Sequence, residues 1–334
     1  MEIKENQSLR HLNTFGVEAR ARYLAELNAL DELRDLDLTA FDSALVLGGG
    51  SNILFTRDYP GLVLVNKLQG IEIVEEDEAS ALVAAASGVV WQDLVDFALQ
   101  HNLGGIENLS LIPGTVGAAP IQNIGAYGVE LKETFERLEA IELASGKQRL
   151  FERADCRFGY RDSIFKHEVR DRYLITRVYL RLRKQPAVNT SYGAIEEVLR
   201  QQGITYPTIH DVSRAVISIR RSKLPDPAII GNAGSFFKNP VINKAAFERL
   251  KRAYPAMLGY EAGQKVKIPA AWLIEQCGWK GKRQGQVGVH SKQPLVLVNF
   301  GGGSGKEIAE LARDIQQSVA DKFDIVLEPE PRII

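Results

Sequence analysis

Two cysteines in 334 residues, Cys156 and Cys277, exclude a disulfide scaffold and a four-cysteine zinc site. A chain so poor in cysteine suits a reducing compartment, and the cytoplasm is the expected one. An excess of either charge is lacking too. Lys and Arg number 41 against 42 Asp and Glu, a formal net charge of −1. That excludes a chain-wide basic field for nucleic acid or anionic membranes and leaves only local patches. No run of 18 apolar residues occurs, so no membrane span is expected. Residues 1–13 are charged and polar and lack the apolar centre of a secretory signal. The five histidines (His11, His101, His167, His210, His290) fall at no metal-ligand spacing, so no metal is expected. Low-complexity tracts and fixed-period repeats are also missing.

What is present is ordinary globular material, 45% hydrophobic and 25% charged, long enough for two or three domains. Short apolar runs at 44–47 (ALVL), 53–55, 62–65 and 80–86 (SALVAAA) read as buried strands, with a turn at 59–61. Trp91, Leu94, Val95 and Ala98 recur at helical spacing, and Gly104-Gly105 is expected to end that helix. Residues 140–143 and 173–182 read as strands, the second alternating apolar and polar in its later half. From about 211 the style changes. Val212, Ala215, Val216 and Ile219 share a helical face, and further helices are expected over 245–253 and 270–277. A strand is expected over 294–300. Ser304 and Glu307 form a capping box opening a helix with Ile308, Leu311, Ala312, Ile315 and Val319 on one face. A last short strand is expected at 325–327. The pattern is mixed α and β.

Three glycine-rich stretches invite phosphate readings. Gly48-Gly49-Gly50-Ser51-Asn52 follows a strand, but Ile53 breaks the dinucleotide fingerprint and a second apolar run follows in place of a helix. A plain turn and a phosphate loop both stand open there. The stretch 112–128 (IPGTVGAAPIQNIGAYG) packs small uncharged residues, so backbone can approach a flat ligand, with Gln122 and Asn123 as polar partners. A ligand site is favoured over a multi-turn loop. Gly301-Gly302-Gly303-Ser304-Gly305-Lys306 fails the Walker pattern at Phe300 and Glu307 and reads as a connector. In RFGYRDS (157–163), Arg161 is either a carboxylate clamp or half of a surface Arg–Asp pair. Ser235 in GNAGSFFKNP (231–240) is a proton donor or a turn hydroxyl, and it is not a hydrolase elbow. Lys223 and Lys238 are phosphate partners or solvated charges. Glu328 and Glu330, flanked by prolines, are acid–base groups or a polar tail.

Taken in order, NTFG (13–16), GGGSN (48–52), PIQNIGAYGVEL (120–131), FGYRDSIFKHE (158–168), GNAGSFFKNP and LEPE (327–330) resemble the UDP-N-acetylenolpyruvoylglucosamine reductase family over nearly the whole chain. Those flavoenzymes make UDP-N-acetylmuramate for peptidoglycan. The loop Ser191-Tyr192-Gly193 looks like the substrate-covering tyrosine loop of the type I branch, and Pro331 stands where the family usually has valine. The resemblance implies an α+β chain with an FAD-binding fold of the vanillyl-alcohol-oxidase (PCMH) type in two lobes, plus a separate α/β substrate-binding domain. It places the first lobe at 1–68, the second at 69–210 and 325–334, and the substrate domain at 211–324. It implies non-covalent FAD, with NADPH as co-substrate and a UDP-sugar as substrate, in a monomer without nucleic-acid or membrane partners. FAD contacts fall on Gly48, Gly49, Gly50, Ser51, Asn52, Pro113, Gly114, Gly117, Ala118, Gln122, Asn123, Gly125, Ala126 and Tyr127. Arg161 matches the carboxylate clamp, Ser235 the proton donor and Glu330 the C-terminal catalytic glutamate. Tyr192, Lys223, Asn239 and Gln293 match substrate contacts. Another flavin oxidoreductase of the same fold, or a flavin-binding module without turnover, are the competing readings.

Overall fold

A computed structural model describes residues 1–33 and 36–334. Its contacts divide the chain into two units, the first made of 1–7, 21–50 and 59–222, the second of 8–20, 51–58 and 223–334.

The first unit carries two sheets. One is ordered Ile3–Ser8, Arg20–Leu27, Tyr59–Asn66, Ala44–Leu47, and its last three strands run parallel. The other is antiparallel, ordered Gln148–Glu152, Phe135–Glu142, Tyr173–Arg183, Ser80–Ala86, Ile71–Glu76. One hydrophobic core takes Leu27, Leu62 and Leu64 from the first sheet and Val83, Leu138 and Val178 from the second. Ser80–Ala86 buries both faces, because Leu82 and Ala84 pack on Tyr179 at its back. The alternation expected in Tyr173–Arg183 is realised there. Arg177 and Arg181 face Glu72, Glu75 and Glu136, with closest N–O separations of 2.9, 3.1 and 2.6 Å.

The second unit holds an antiparallel sheet ordered Gly231–Ser235, Val296–Asn299, Val287–Val289, Arg283–Gln284. A three-stranded sheet joins Val241–Asn243, Lys265–Lys267 and Tyr260–Ala262. The helix Gly305–Phe323 opens on the expected capping box. Its Ser304 side chain accepts from Glu307 N, and the Glu307 side chain reaches back to Ser304 N. The expected face of Ile308, Leu311, Ala312, Ile315 and Val319 is buried. Among the described residues no helix is long and apolar enough to cross a membrane.

Several local expectations are corrected. The turn at 59–61 is part of the strand Tyr59–Asn66. Tyr59 opposes Ala21 and Leu62 opposes Tyr23, so an extra residue bulges out at Pro60-Gly61, where proline's missing donor costs nothing. The first helix stops at Gln100, before Gly104-Gly105, because Asn102 takes the left-handed conformation that ends it. No strand forms at 325–327. The pairing comes later, where Arg332–Ile333 runs parallel to Ile53–Leu54. The helix Ile209–Lys223 spans residue 211, and its apolar face packs with Ile195 and Leu199 in the first unit. Arg332–Ile333 lies with its partner Ile53–Leu54 in the second unit.

Candidate active site

In the first unit, the turn after Ala44–Leu47 lies against 113–117. A Cβ on Gly48 would collide with the Thr115 hydroxyl, and one on Gly49 would stand 3.0 Å from Gly114 Cα. A Cβ on Gly117 would stand 2.5 Å from Ser87 Cβ. At Gly49 and Gly114 the two segments meet backbone to backbone. This is the geometry that lets N–H groups approach a diphosphate closely, so the residues fit the flavin nucleotide that the resemblance implies.

The loop that follows is stiff. Leu111, Asn123, Tyr127 and Arg161 all have positive φ, at 60°, 43°, 50° and 54°. Bulky residues adopt that conformation only when their surroundings hold them, and such positions cluster at functional sites. The holding groups are buried amides. Asn123 is fully buried, and its Oδ1 accepts from Lys132 N at 3.0 Å while its Nδ2 donates to Gly159 O at 2.9 Å. Its side chain is thus spent on the protein. Asn108 Nδ2 donates to Tyr127 O at 3.1 Å and to Asn189 O at 2.9 Å. Gln122, Ala118 and Ala126 are each partly accessible on this loop.

Arg161 sits in the turn closed by the Gly159–Asp162 bridge. Its Nη2 donates to Gly125 O. A Cβ on Gly125 would come within 2.8 Å of Arg161 Nη1 and stand 3.0 Å from Val129 O, so a larger residue there would displace the guanidinium. The Asp162 carboxylate accepts from His167 Nε2 at 2.8 Å.

A second guanidinium stands near the first. Arg220, on the helix Ile209–Lys223, donates from Nε to Leu111 O at 3.2 Å. Burial pulls its pKa below the ordinary arginine range; the Tyr127 hydroxyl beside it offsets part of that drop, and the charge of Arg161 deepens it. Burial pushes the Tyr127 phenol above its ordinary value, against the pull of Arg220. Tyr127 meets Tyr192 edge to face at 5.2 Å, and Tyr192 is half exposed. The sequence reading missed Arg220. The signal was there: Val212, Val216 and Arg220 follow at intervals of four, so an arginine occupies the apolar stripe of its helix.

In the second unit, Asn232 opposes Val298 and Ser235 opposes Val296, so one extra residue is inserted before Ser235. Gly234 takes φ +69° within that bulge, and Asn232 Oδ1 accepts from its N–H at 2.9 Å. Bulges of this kind re-aim the next side chain. Among the described residues none hydrogen-bonds the Ser235 hydroxyl. The C-terminal segment runs back beside this strand. Lys238 N donates to Glu328 O at 2.9 Å, Phe237 bridges Pro329, and Glu330 N donates to Phe236 O at 2.8 Å. Asn52 Nδ2 then donates to Glu330 O at 3.3 Å, and Arg332 N to Asn52 O at 3.0 Å. The donors in use sit at 330 and 332, so proline at 331 forfeits no bond. Glu330 is thereby held beside Phe236, the residue after Ser235, and the end of the chain is a pinned segment, not a loose tail. Glu328 is committed to an ion pair with Lys238.

The expected substrate contacts are spread more widely. Asn239 Oδ1 accepts from Ala270 N at 2.9 Å and so caps the helix Ala270–Gln276. Gln293 lies in the turn before Val296–Asn299 and accepts from Leu295 N at 3.4 Å. Lys223 is exposed at the end of its helix. The expected flavin contacts divide as well, with Gly48, Gly49, Gly50 and 113–127 in the first unit and Ser51 and Asn52 in the second.

Residues 42–151 match the model of an FAD binding domain, and 226–334 match that of the UDP-N-acetylenolpyruvoylglucosamine reductase C-terminal domain. The crystal structure of that reductase from Thermus caldophilus superposes with a TM-score of 0.66 at 26% identity, covering 99% of this chain and 98% of that one. A solvent-stable cholesterol oxidase shares the fold alone, with a TM-score of 0.50 at 13% identity over 97% of this chain and 86% of the other. The architecture is therefore the α+β FAD-binding fold of that flavoprotein class. The reductase of Pseudomonas aeruginosa is 50% identical over 337 residues, covering 100% of this chain and 99% of the relative. That of Amoebophilus asiaticus is 51% identical over 338 residues, covering 100% of both. By that identity along its entire length, the chain belongs to the UDP-N-acetylenolpyruvoylglucosamine reductase family.

Proposed function

We propose that the protein is an NADPH-dependent flavoenzyme that reduces the enolpyruvyl group of UDP-N-acetyl-3-O-(1-carboxyvinyl)-glucosamine to give UDP-N-acetylmuramate. It would act as a monomer in the cytoplasm, in peptidoglycan precursor synthesis. The observation that supports this reading most is the backbone pairing of 236–238 with 328–330, which brings the segment carrying Glu330 next to the residues that follow Ser235.

FAD, cradled by Gly48 to Asn52 and by 113–127, would supply hydride transfer, which no side chain performs. The protein's own residues meet the remaining demands. Hydride addition at C3 leaves negative charge at C2 and on the conjugated carboxylate. The Arg161 guanidinium, fixed through Gly125 O, neutralises it without having to reorganise. Ser235 gives the proton to C2. Glu330 holds the acid–base balance beside it, and Glu328 does not share that work, since Lys238 occupies it. Tyr192, Lys223, Asn239 and Gln293 contact the nucleotide end of the substrate.

The test is spectroscopic. The protein should purify yellow, and acid or denaturant should release the flavin, because no His or Cys lies in the glycine-rich loops to tether it. NADPH should bleach the flavin under anaerobic conditions, and the enolpyruvyl nucleotide should restore its colour. A preparation that neither contains nor takes up FAD would defeat the proposal, as would a reduced flavin indifferent to the nucleotide.

A further inference from the structure

The last three residues of FGYRDSIFKHE take no part in the proposed reaction, yet all three are tied to the turn that carries Arg161. Arg161 keeps φ +54°, a conformation that costs a bulky residue free energy unless its neighbours hold it. Arg157, four residues earlier, is left-handed too, with φ +44°. Ile164 N donates to Cys156 O at 2.9 Å and closes the segment that contains both. Three successive side chains then reach back across it. Lys166 Nζ donates to Arg161 O at 3.2 Å. His167 Nε2 meets both oxygens of the Asp162 carboxylate, at 2.8 and 2.9 Å. Glu168 Oε1 accepts from Arg157 Nη1 at 2.7 Å.

This clasp is itself anchored. Ser163 caps the single turn Ile164–Lys166 by accepting from Phe165 N at 3.2 Å, and its hydroxyl donates to Ile121 O at 2.6 Å in the 112–128 loop. Ile164 and Phe165 are buried. His167 therefore stands at the end of a turn fixed to the core. Asp162 is held on its other side by the backbone bridge, with Gly159 N donating to Asp162 O at 3.0 Å and Asp162 N to Gly159 O at 3.3 Å. One carboxylate thus joins that bridge to the imidazole, and it belongs to the residue next to Arg161.

We propose that His167 is a positioning residue: through the Asp162 carboxylate it holds the left-handed turn of Arg161 and so keeps the guanidinium on Gly125 O. The pair's own contribution to global stability is small, because both side chains are partly exposed. Its consequence is directional, since a turn free to relax would swing the guanidinium off its carbonyl. The inference rests on the proposed function in that Arg161 acts there on the substrate carboxylate. The turn itself can be read without turnover.

Two measurements on the FAD-loaded protein test it. Amide hydrogen exchange reads the turn through the Gly159 and Asp162 N–H groups. Stopped-flow absorbance reads the two flavin half-reactions. In His167→Ala, exchange at both amides should quicken by about 2- to 5-fold, the range for losing a partly exposed charged pair. Reoxidation at saturating enolpyruvyl nucleotide should slow by a similar factor, while reduction by NADPH keeps the parent rate. His167→Gln retains an N–H donor and should recover part of both losses. The double variant Asp162→Ala/His167→Ala should be no worse than Asp162→Ala alone, because the two side chains act as a unit. If Asp162→Ala does not fold or hold FAD, the two His167 variants decide. Unchanged exchange in His167→Ala overturns the proposal, as does quickened exchange with reoxidation at the parent rate. Faster exchange spread over the whole first unit, or equal slowing of both half-reactions, assigns His167 a merely structural role and also overturns it. A parent whose reduced flavin ignores the nucleotide removes the proposed function. Quickened exchange confined to the turn in His167→Ala then leaves its hold on the Arg161 turn standing.

Discussion

The two units hold their chemistry in opposite ways. In the first, the candidate ligand groups come from a loop with little regular structure. It is held by left-handed residues at Leu111, Asn123, Tyr127 and Arg161 and by the buried side-chain amides of Asn108 and Asn123. In the second, Ser235 and Glu330 come from regular β pairing, disturbed by one inserted residue and closed by the C-terminal segment. A loop of this kind can bring backbone and guanidinium groups close to a flat cofactor, and it depends on a few polar side chains that cannot be exchanged. A sheet holds position through many equivalent backbone bonds, so its functional side chain can be changed without disturbing the frame.

Ser235→Ala gives the sharpest expression of that difference. Turnover should fall by about 10²–10⁴, the worth of a positioned proton donor, or roughly 3–5 kcal/mol of barrier. FAD content and Tm should be unchanged. Stopped-flow absorbance should show reduction by NADPH near the parent rate and slow reoxidation by the enolpyruvyl nucleotide. If both phases slow alike, or neither does, the hydroxyl is not the proton donor.

Asn123→Ala puts the same question to the loop. It strands Lys132 N–H and Gly159 O at a fully buried position, so the fold should lose about 1–3 kcal/mol. Because Gly159 begins the turn carrying Arg161, turnover should fall together with stability, unlike in Ser235→Ala. Denaturant melts beside kinetics check it. A stable Asn123→Ala protein of normal activity would show that the loop is held some other way.

Arg181→Met tests the outer face of the antiparallel sheet, where guanidinium groups meet carboxylates. Glu136, Glu75 and Arg181 are partly exposed, so the loss should stay under about 1 kcal/mol and shrink further with added salt, with no change in turnover. A larger effect would mean that this lattice, and not the core, sets the stability of the first unit.

The smallest effect expected is a pH dependence in the second unit. Burial, with Lys292 adding to it, holds the His290 imidazole below its ordinary value of 6.5. The unfolded chain therefore takes up that proton more readily than the folded one. Stability is complete above about 6.5 and is lost as the pH falls from there toward the folded value. His290→Gln should flatten that part of the stability–pH curve and leave stability at neutral pH nearly unchanged. A slope that survives the substitution belongs to other groups.

Local rules made much of the molecule legible. The capped helix Gly305–Phe323 was readable from Ser304, Glu307 and a 3.6-residue apolar period, since caps and stripes depend on residues within a few positions of each other. The strand Tyr173–Arg183 was readable from its alternation. The turn at 59–61 was misread because Pro and Gly mark a turn and a bulge alike, and only the partner strand separates the two. Arg220 went unnoticed because a single arginine on an apolar stripe gains meaning only when the charge of Arg161, 59 positions away, is brought to act on it.

The motifs pointed to the family, to candidate cofactor loops and to candidate chemistry, because residue type and short spacing fix what a backbone turn or a side chain can do. Tertiary structure alone decided that the last strand answers to Ile53–Leu54 and that Glu328 is paired with Lys238. It also decided that Arg220 feels the charge of Arg161. Each of these is a meeting of segments tens to hundreds of residues apart. Such meetings are set by which apolar faces find room in a common core and which backbone donors find acceptors, and no local pattern encodes them.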